Sequence, residues 1–362
     1  MKNAILFIGQ DFLINDAFVA SIERTMYKQF INIHAKEFFH DKDKDLILHV
    51  SKTIENFDTI LIATTSQSFP IVSKILSTLY EDNLIAKEGM LVPSKVSEIE
   101  KDSYILYAQD KQINVIQAEV CKKVPKILLE NGIESAILHI FDLEYEEFIE
   151  KLSPLARTFE IEIQTTKLTH NLYKILAINK KFGDLPMFVQ NAKLLFPNNM
   201  IIAHNLFEYL IDRFTIAHKK ITFAESCTGG LLASMLTKIP GASNIFDGSL
   251  VTYANEIKHA WLGVRNETLM KYGAVSHETV EEMIEGALKS SESDYAIAIS
   301  GIAGPGGGSK EKPVGTVFVG CGDTNQSIIH KMHFEGDRNY VQYQAAMYGV
   351  KLLFEIASDD LF

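Results

Sequence analysis

Apolar residues along this chain recur in two rhythms that take turns. Short, β-prone apolar runs at 4–8, 59–64, 135–140, 221–224, 295–299, 314–319 and 328–334 read as strands, and stretches with three-and-four spacing lie between them. Helices are predicted over 16–27, 45–56 and 70–80, Pro70 sitting where a first helical turn accepts it. This alternation makes residues 1–132 an α/β domain. Residues 133–198 read as a small α+β unit, with a strand at 135–140, an acidic helix at 144–152, an alternating strand at 159–165 and an amphipathic helix at 186–195. Pro197-Asn198-Asn199 then breaks the pattern, and residues 199–362 form a third, α/β unit. It opens with a helix predicted over 200–218, carrying Leu206, Leu210 and Phe214 on one face, and continues with a strand at 248–253. Ser276 caps a helix whose Val280, Met283, Ile284, Ala287 and Leu288 make one stripe. The closing helix spans 339–356, with Asp337 as its cap and Arg338 in its first turn. The helix dipole disfavours a cation there, so Arg338 either faces an anionic ligand or is a solvated surface residue.

Two strand ends are rich in glycine. Residues 221–230, Ile-Thr-Phe-Ala-Glu-Ser-Cys-Thr-Gly-Gly, predict a strand running straight into a helix that carries Leu231, Leu232, Met235, Leu236 and Ile239. The free N–H groups of such a helix start would hold an anion or a developing oxyanion beside Ser226, Cys227 and Thr228, with helix capping as the alternative role for Ser226 or Thr228. Ile299-Ser300-Gly301-Ile302-Ala303-Gly304-Pro305-Gly306-Gly307-Gly308 is the second, between the strands at 295–299 and 314–319. Together they predict a crevice of backbone donors at the end of an open sheet. It is not a nucleotide P-loop, because Lys310 follows Ser309 and precedes Glu311.

Composition narrows the classes. Of 362 residues, 47% are hydrophobic and 22% charged, an ordinary globular balance. A net charge of −11 argues against a surface built to neutralise nucleic-acid phosphates. Cys121, Cys227 and Cys321 are odd in number and far apart, so neither a disulfide framework nor a zinc site is expected, and a reducing cytoplasm is. The start of the chain has one charge and a short apolar run that reads as a strand, and no run reaches membrane-spanning length, so neither an export signal nor a membrane partner is expected.

Residues 200–360 closely resemble the C-terminal domain of the competence/damage-inducible CinA family. The resemblance is carried by six segments in order: 224–230, 251–258 (Val-Thr-Tyr-Ala-Asn-Glu-Ile-Lys), 273–276 (Gly-Ala-Val-Ser), 300–305, 312–317 and 336–338. The first part of the chain resembles the family in layout, which implies a molybdopterin-binding-like domain followed by a KH-like domain. At residues 63–70, Ala-Thr-Thr-Ser-Gln-Ser-Phe-Pro replaces the family's Gly-rich loop and its following aspartates. That departure implies that the metal-dependent ADP-ribose pyrophosphatase activity associated with the family's first domain is absent here. The KH-like unit lacks a Gly-x-x-Gly loop, which argues against RNA binding.

The resemblance implies a nicotinamide mononucleotide deamidase, active without metal or cofactor and expected to be a homodimer. Such a reaction needs a nucleophile, a base, an oxyanion pocket and a grip on the rest of the substrate. Ser226 is the expected nucleophile, Lys258 the base and Tyr253 an orienting or relaying hydroxyl. Thr228, Gly229 or the loop with Ser300, Gly301, Ala303 and Gly304 would hold the oxyanion. Thr316 and Arg338 would hold the ribose phosphate, with Glu225, Gly230 and Asn255 completing the substrate contacts. Two alternatives stand beside this. One is a hydrolase using Cys227, its thiol acidified at a helix N-terminus, with His259 as base. The other is a regulatory protein that binds a nucleotide without turning it over.

Overall fold

The computed structural model describes residues 2–28, 30, 32–108, 110–132 and 134–362. Met1 and Ile133, where the chain and the expected second unit begin, lie outside the described residues. The chain forms two compact units, Met1–Glu134 and Ser135–Phe362.

The first unit contains strands β1 (Asn3–Ile8), β2 (Ala35–Phe39), β3 (Thr59–Thr64), β4 (Leu84–Lys87), β5 (Met90–Pro93), β6 (Glu98–Glu100), β7 (Ser103–Ala108) and β8 (Lys111–Gln117). Its helices are α1 (Gln10–Ile14), α2 (Asp16–Met26), α3 (Leu46–Asn56) and α4 (Phe69–Leu79). Six strands form a sheet in the order β2-β1-β3-β8-β7-β6, parallel from β2 to β8 and antiparallel beyond. Every residue of β1 and β3 is buried, as befits strands covered on both faces. The crevice at the ends of β1 and β3 is filled by the chain itself. Ser68 donates its hydroxyl to the Ile8 carbonyl at 2.5 Å and accepts from the Thr65 N–H at 2.8 Å. A Cβ added to Gly9 would stand 2.5 Å from Thr65 Cγ2.

The second unit holds two sheets. The smaller uses β9 (Ser135–Phe141), β10 (Ile161–Thr169), β11 (Leu172–Asn179) and β12 (Met200–Ile202) in the antiparallel order β10-β11-β9-β12. Helices α5 (Tyr145–Thr158) and α6 (Leu185–Leu195) pack on it around Phe148, Leu152 and Phe188. Met200–Ile202 corrects the expected single helix over 200–218. These three residues pair with β9, and α7 (Leu206–Ala217) starts only after Asn205, whose side chain accepts from the Phe207 N–H.

The larger sheet has the order β14-β13-β15-β16-β17, built from β13 (Ile221–Glu225), β14 (Ser249–Val251), β15 (Tyr295–Gly301), β16 (Thr316–Gly322) and β17 (Ser327–His333). The strands β14, β13 and β15 run parallel, β16 pairs antiparallel with β15, and β17 pairs antiparallel with β16. Side chains alternate along β13 and β15. Phe223, Ile297 and Ile299 meet α7, α8 (Leu231–Thr237) and α12 (Arg338–Ile356) on one face. Ala224, Ala296 and Ala298 meet α9 (Asn255–Leu262) and α11 (His277–Ser291) on the other. The helices α10 (Asn266–Tyr272) and α13 (Ser358–Leu361) complete the unit. The fold class is therefore mixed α/β with several sheets, and the carboxyl ends of β13, β14 and β15 open together, the usual ligand position in such a sheet.

Candidate active site

Ser226 follows β13 directly. Its N–H donates to the Ile299 carbonyl at 2.9 Å, which ties the turn to the end of β15. The side chain is buried, and its hydroxyl lies 3.0 Å from Lys258 Nζ. Lys258 comes from α9, where it shares the inward face with Leu262 one turn on, and it is only 1% exposed. The Nζ also reaches the carbonyls of Thr252, at 2.7 Å, and Tyr253, at 3.3 Å. No carboxylate is among these partners. Burial holds the Lys258 pKa below the usual lysine range, against a smaller opposing influence of the Cys227 thiol.

One cavity of about 260 Å³ gathers Ser226, Tyr253, Asn255, Lys258, Ser300, Gly301, Ala303, Gly304 and Arg338. Asn255 opens α9, and Ser300 donates its hydroxyl to the Ala274 carbonyl at 2.7 Å. Arg338 bridges two walls, donating to the Gly304 carbonyl at 2.6 Å and to the Tyr253 hydroxyl at 2.8 Å. Asp337 caps α12 as expected, accepting from the Tyr340 N–H at 2.8 Å. Tyr253 is 61% exposed; its hydroxyl accepts from Arg338, and its backbone carbonyl accepts from Lys258 Nζ.

Several expected contacts fall elsewhere. The strand does not run straight into the helix, because residues 226–230 intervene and Gly229 and Gly230 turn the chain at φ 60° and 94°. Glu225 is fully buried, and its carboxylate accepts from the N–H groups of Gly230, Leu232 and Ala233 at 3.0 to 3.1 Å. It therefore occupies the helix start where a substrate anion was expected, and it does not line the cavity. The Gly229 N–H is taken by the Ser226 carbonyl at 3.1 Å. Neither glycine lines the cavity, nor does the buried Thr228. Thr316 is also outside it, its carbonyl accepting from the Ile302 N–H to hold the loop on β16.

Cys227 lines the cavity, but burial pushes its thiol up to about 12, reversing the acidification expected of a helix N-terminus. His259 Nδ1 is engaged with the Val264 carbonyl at 2.8 Å, and the ring is not part of the cavity wall. The cysteine and histidine thus do not form a pair here. Two features in and beside the wall were not anticipated. Ala274 and Val275 sit in the Gly-Ala-Val-Ser segment that stood out in the sequence, and Gln342 holds the Cys227 carbonyl at 2.6 Å without any local signal for it.

The family description "CinA C-terminal domain" matches residues 203–357, which contain the whole cavity. The chain carries a CinA C-terminal domain. A CinA-like protein of Endomicrobium trichonymphae is 37% identical over 237 residues, 61% of this chain and 54% of that protein. A CinA-like protein of Thermotoga neapolitana is 50% identical over 147 residues, 40% of this chain and 36% of that one. This chain thus matches about half or less of the length of these curated CinA relatives. The crystal structure of a competence/damage inducible protein from Agrobacterium tumefaciens is 41% identical, covering 41% of this chain and 92% of that one at a TM-score of 0.41. Among the described residues, no helix is long and apolar enough to cross a membrane.

Proposed function

We propose that this chain is a nicotinamide mononucleotide deamidase, an amidohydrolase that converts the carboxamide to the carboxylate and releases ammonia. The observation that carries the proposal is Lys258 Nζ, buried, without a carboxylate, 3.0 Å from the Ser226 hydroxyl. A neutral amine has two N–H donors and one lone pair. The carbonyls of Thr252 and Tyr253 take the two donors, which turns the lone pair toward Ser226. Lys258 can then accept the Ser226 proton as Oγ attacks the carboxamide carbon. The resulting ammonium returns the proton to the departing nitrogen, which leaves as ammonia. An acyl ester remains on Ser226. Lys258 next deprotonates water, which attacks the ester and restores the hydroxyl.

Donors for the oxyanion are assigned to the 303–304 stretch of the cavity wall, because the Ser226 and Gly229 N–H groups are already engaged. Arg338 is assigned to the phosphate. Its partners are a neutral carbonyl and a phenol, and a charge-assisted bond to phosphate is stronger than either. No metal or cofactor is given a role, and the reaction is placed in cytoplasmic pyridine nucleotide recycling by a homodimer.

Ammonia release from nicotinamide mononucleotide tests the proposal. Wild type and Cys227→Ala should turn over, and Ser226→Ala should not. Activity that survives in Ser226→Ala and is lost in Cys227→Ala would transfer the role to the thiol. Tight binding of the nucleotide without ammonia release would make the chain a nucleotide-binding regulator instead.

A further inference from the structure

Gln342 lies one helical turn beyond Arg338 on α12, a spacing that puts both side chains on one side of the helix. Its amide donates to the Cys227 carbonyl at 2.6 Å, joining positions 115 residues apart. The turn that presents Ser226 has two other anchors. The Ser226 N–H is fixed to β15 through Ile299, and the Glu225 carboxylate grips the start of α8. Gln342 adds the tie to α12, the helix whose Arg338 holds Gly304 and Tyr253.

We propose that Gln342 is a positioning residue for the nucleophile: by holding the Cys227 peptide it sets the approach of Ser226 Oγ to Lys258 and to the reacting carbon. The inference rests on Ser226 being the nucleophile and adds to that reading a residue on a distant helix. Without its donor, the Cys227–Thr228 peptide, one peptide on from that of Ser226, can rotate, and its carbonyl loses its partner. The charged groups around Cys227 are Lys258 on α9, Arg338 on α12 and Glu225 on β13. A neutral donor at 342 therefore serves the carbonyl without shifting the balance around the amine.

The test is the rate at which a fluorophosphonate labels Ser226, alongside kcat and KM for ammonia release. Gln342→Met keeps the length and loses the donor. It should label about tenfold more slowly, equivalent to ~1.4 kcal/mol, with an equal fall in kcat and KM within about twofold. Gln342→Lys restores a donor and should recover to within about threefold of wild type, with the acidic limb of its pH profile moved to lower pH by the added cation. Labelling of Gln342→Met at the wild-type rate would overturn the proposal. So would a Lys variant as slow as the Met one, since packing alone would then account for the loss. If Gln342→Met does not fold, Gln342→Asn draws the amide back by one methylene and carries the same expectation. A wild type that labels but releases no ammonia would remove the deamidase reading and leave the labelling comparison to decide the role of Gln342. A wild type that does not label overturns both.

Discussion

Gly286 on α11 lies outside the active-site cavity, yet it governs where Lys258 stands. A Cβ added there would overlap the Leu262 carbonyl oxygen and come within 2.7 and 2.8 Å of the Leu262 carbonyl carbon and Cα. All three are backbone atoms of α9, so no side chain can swing aside. Gly286→Ala must part the two helices by about 1 Å, and Lys258 sits one turn before Leu262 on the helix that moves. Its Nζ is 3.0 Å from Ser226 Oγ, so a displacement of that size stretches the contact beyond useful proton transfer. Misplacement by about 1 Å typically costs about a hundredfold in rate, or ~2.7 kcal/mol of barrier. Stability changes far less. Alanine gains ~1 kcal/mol of helix propensity over glycine, which offsets part of an overpacking cost of ~1–3 kcal/mol. Kcat should therefore fall about a hundredfold while the melting temperature drops by no more than about 8 °C. KM should stay near wild type, because Arg338 and the 300–304 wall are carried by other elements. Ammonia release gives the rates. The sole tryptophan, Trp261 on α9, should report the shift by fluorescence. A kcat within threefold of wild type would refute the claim that α11 sets the lysine's position.

Two further outcomes follow from hydrogen bonds elsewhere in the chain. Glu225→Ala removes the cap shared by Gly230, Leu232 and Ala233, and thermal melting should show a loss of about 2 kcal/mol or more; a change below about 0.5 kcal/mol would mean that water replaces the carboxylate. The full chain should form no AMP from ADP-ribose with Mg²⁺ or Co²⁺, because Ser68 and Thr65 close the crevice at the ends of β1 and β3; metal-dependent AMP formation would overturn that.

Much of this site is legible in the sequence, and the exceptions share a cause. Ser226 and Lys258 lie in segments whose order and spacing carry the family resemblance, and β13 and α9 bring them together. The alternation of apolar runs also marked β1, β3, β9, β13, β15, β16 and β17 and most of the helices, but not β2, β4, β5, β6, β7, β8 or β11. Direction was what the one-dimensional pattern could not supply. Glu225 and Ser226 are neighbours, but along a strand they point to opposite sides, so one carboxylate caps α8 while the hydroxyl faces the cavity. Met200–Ile202 is too short and apolar to separate from the helix after it, and only its pairing with β9 makes it a strand. The Cys227 thiol was expected to respond to a helix terminus, whereas burial outweighs any such influence. Gln342 is a polar residue on a long helix, with nothing nearby in the chain to announce a partner 115 residues away.

The central claim is that Lys258, its pKa lowered by burial, is the base for Ser226. The pH dependence of kcat for ammonia release, compared between wild type and Lys258→Arg, tests it most directly. Burial lowers the lysine pKa, so the amine is neutral above that value and becomes an ammonium as pH falls through it. Wild-type kcat should accordingly drop on the acidic side of a pKa below the ordinary lysine value of ~10.4. Lys258→Arg should still bind substrate but lose nearly all of kcat, its residual rate lacking that acidic limb, because guanidinium stays protonated. A Lys258→Arg rate within about tenfold of wild type, or an unchanged acidic limb in the variant, would contradict the claim that Lys258 is the base.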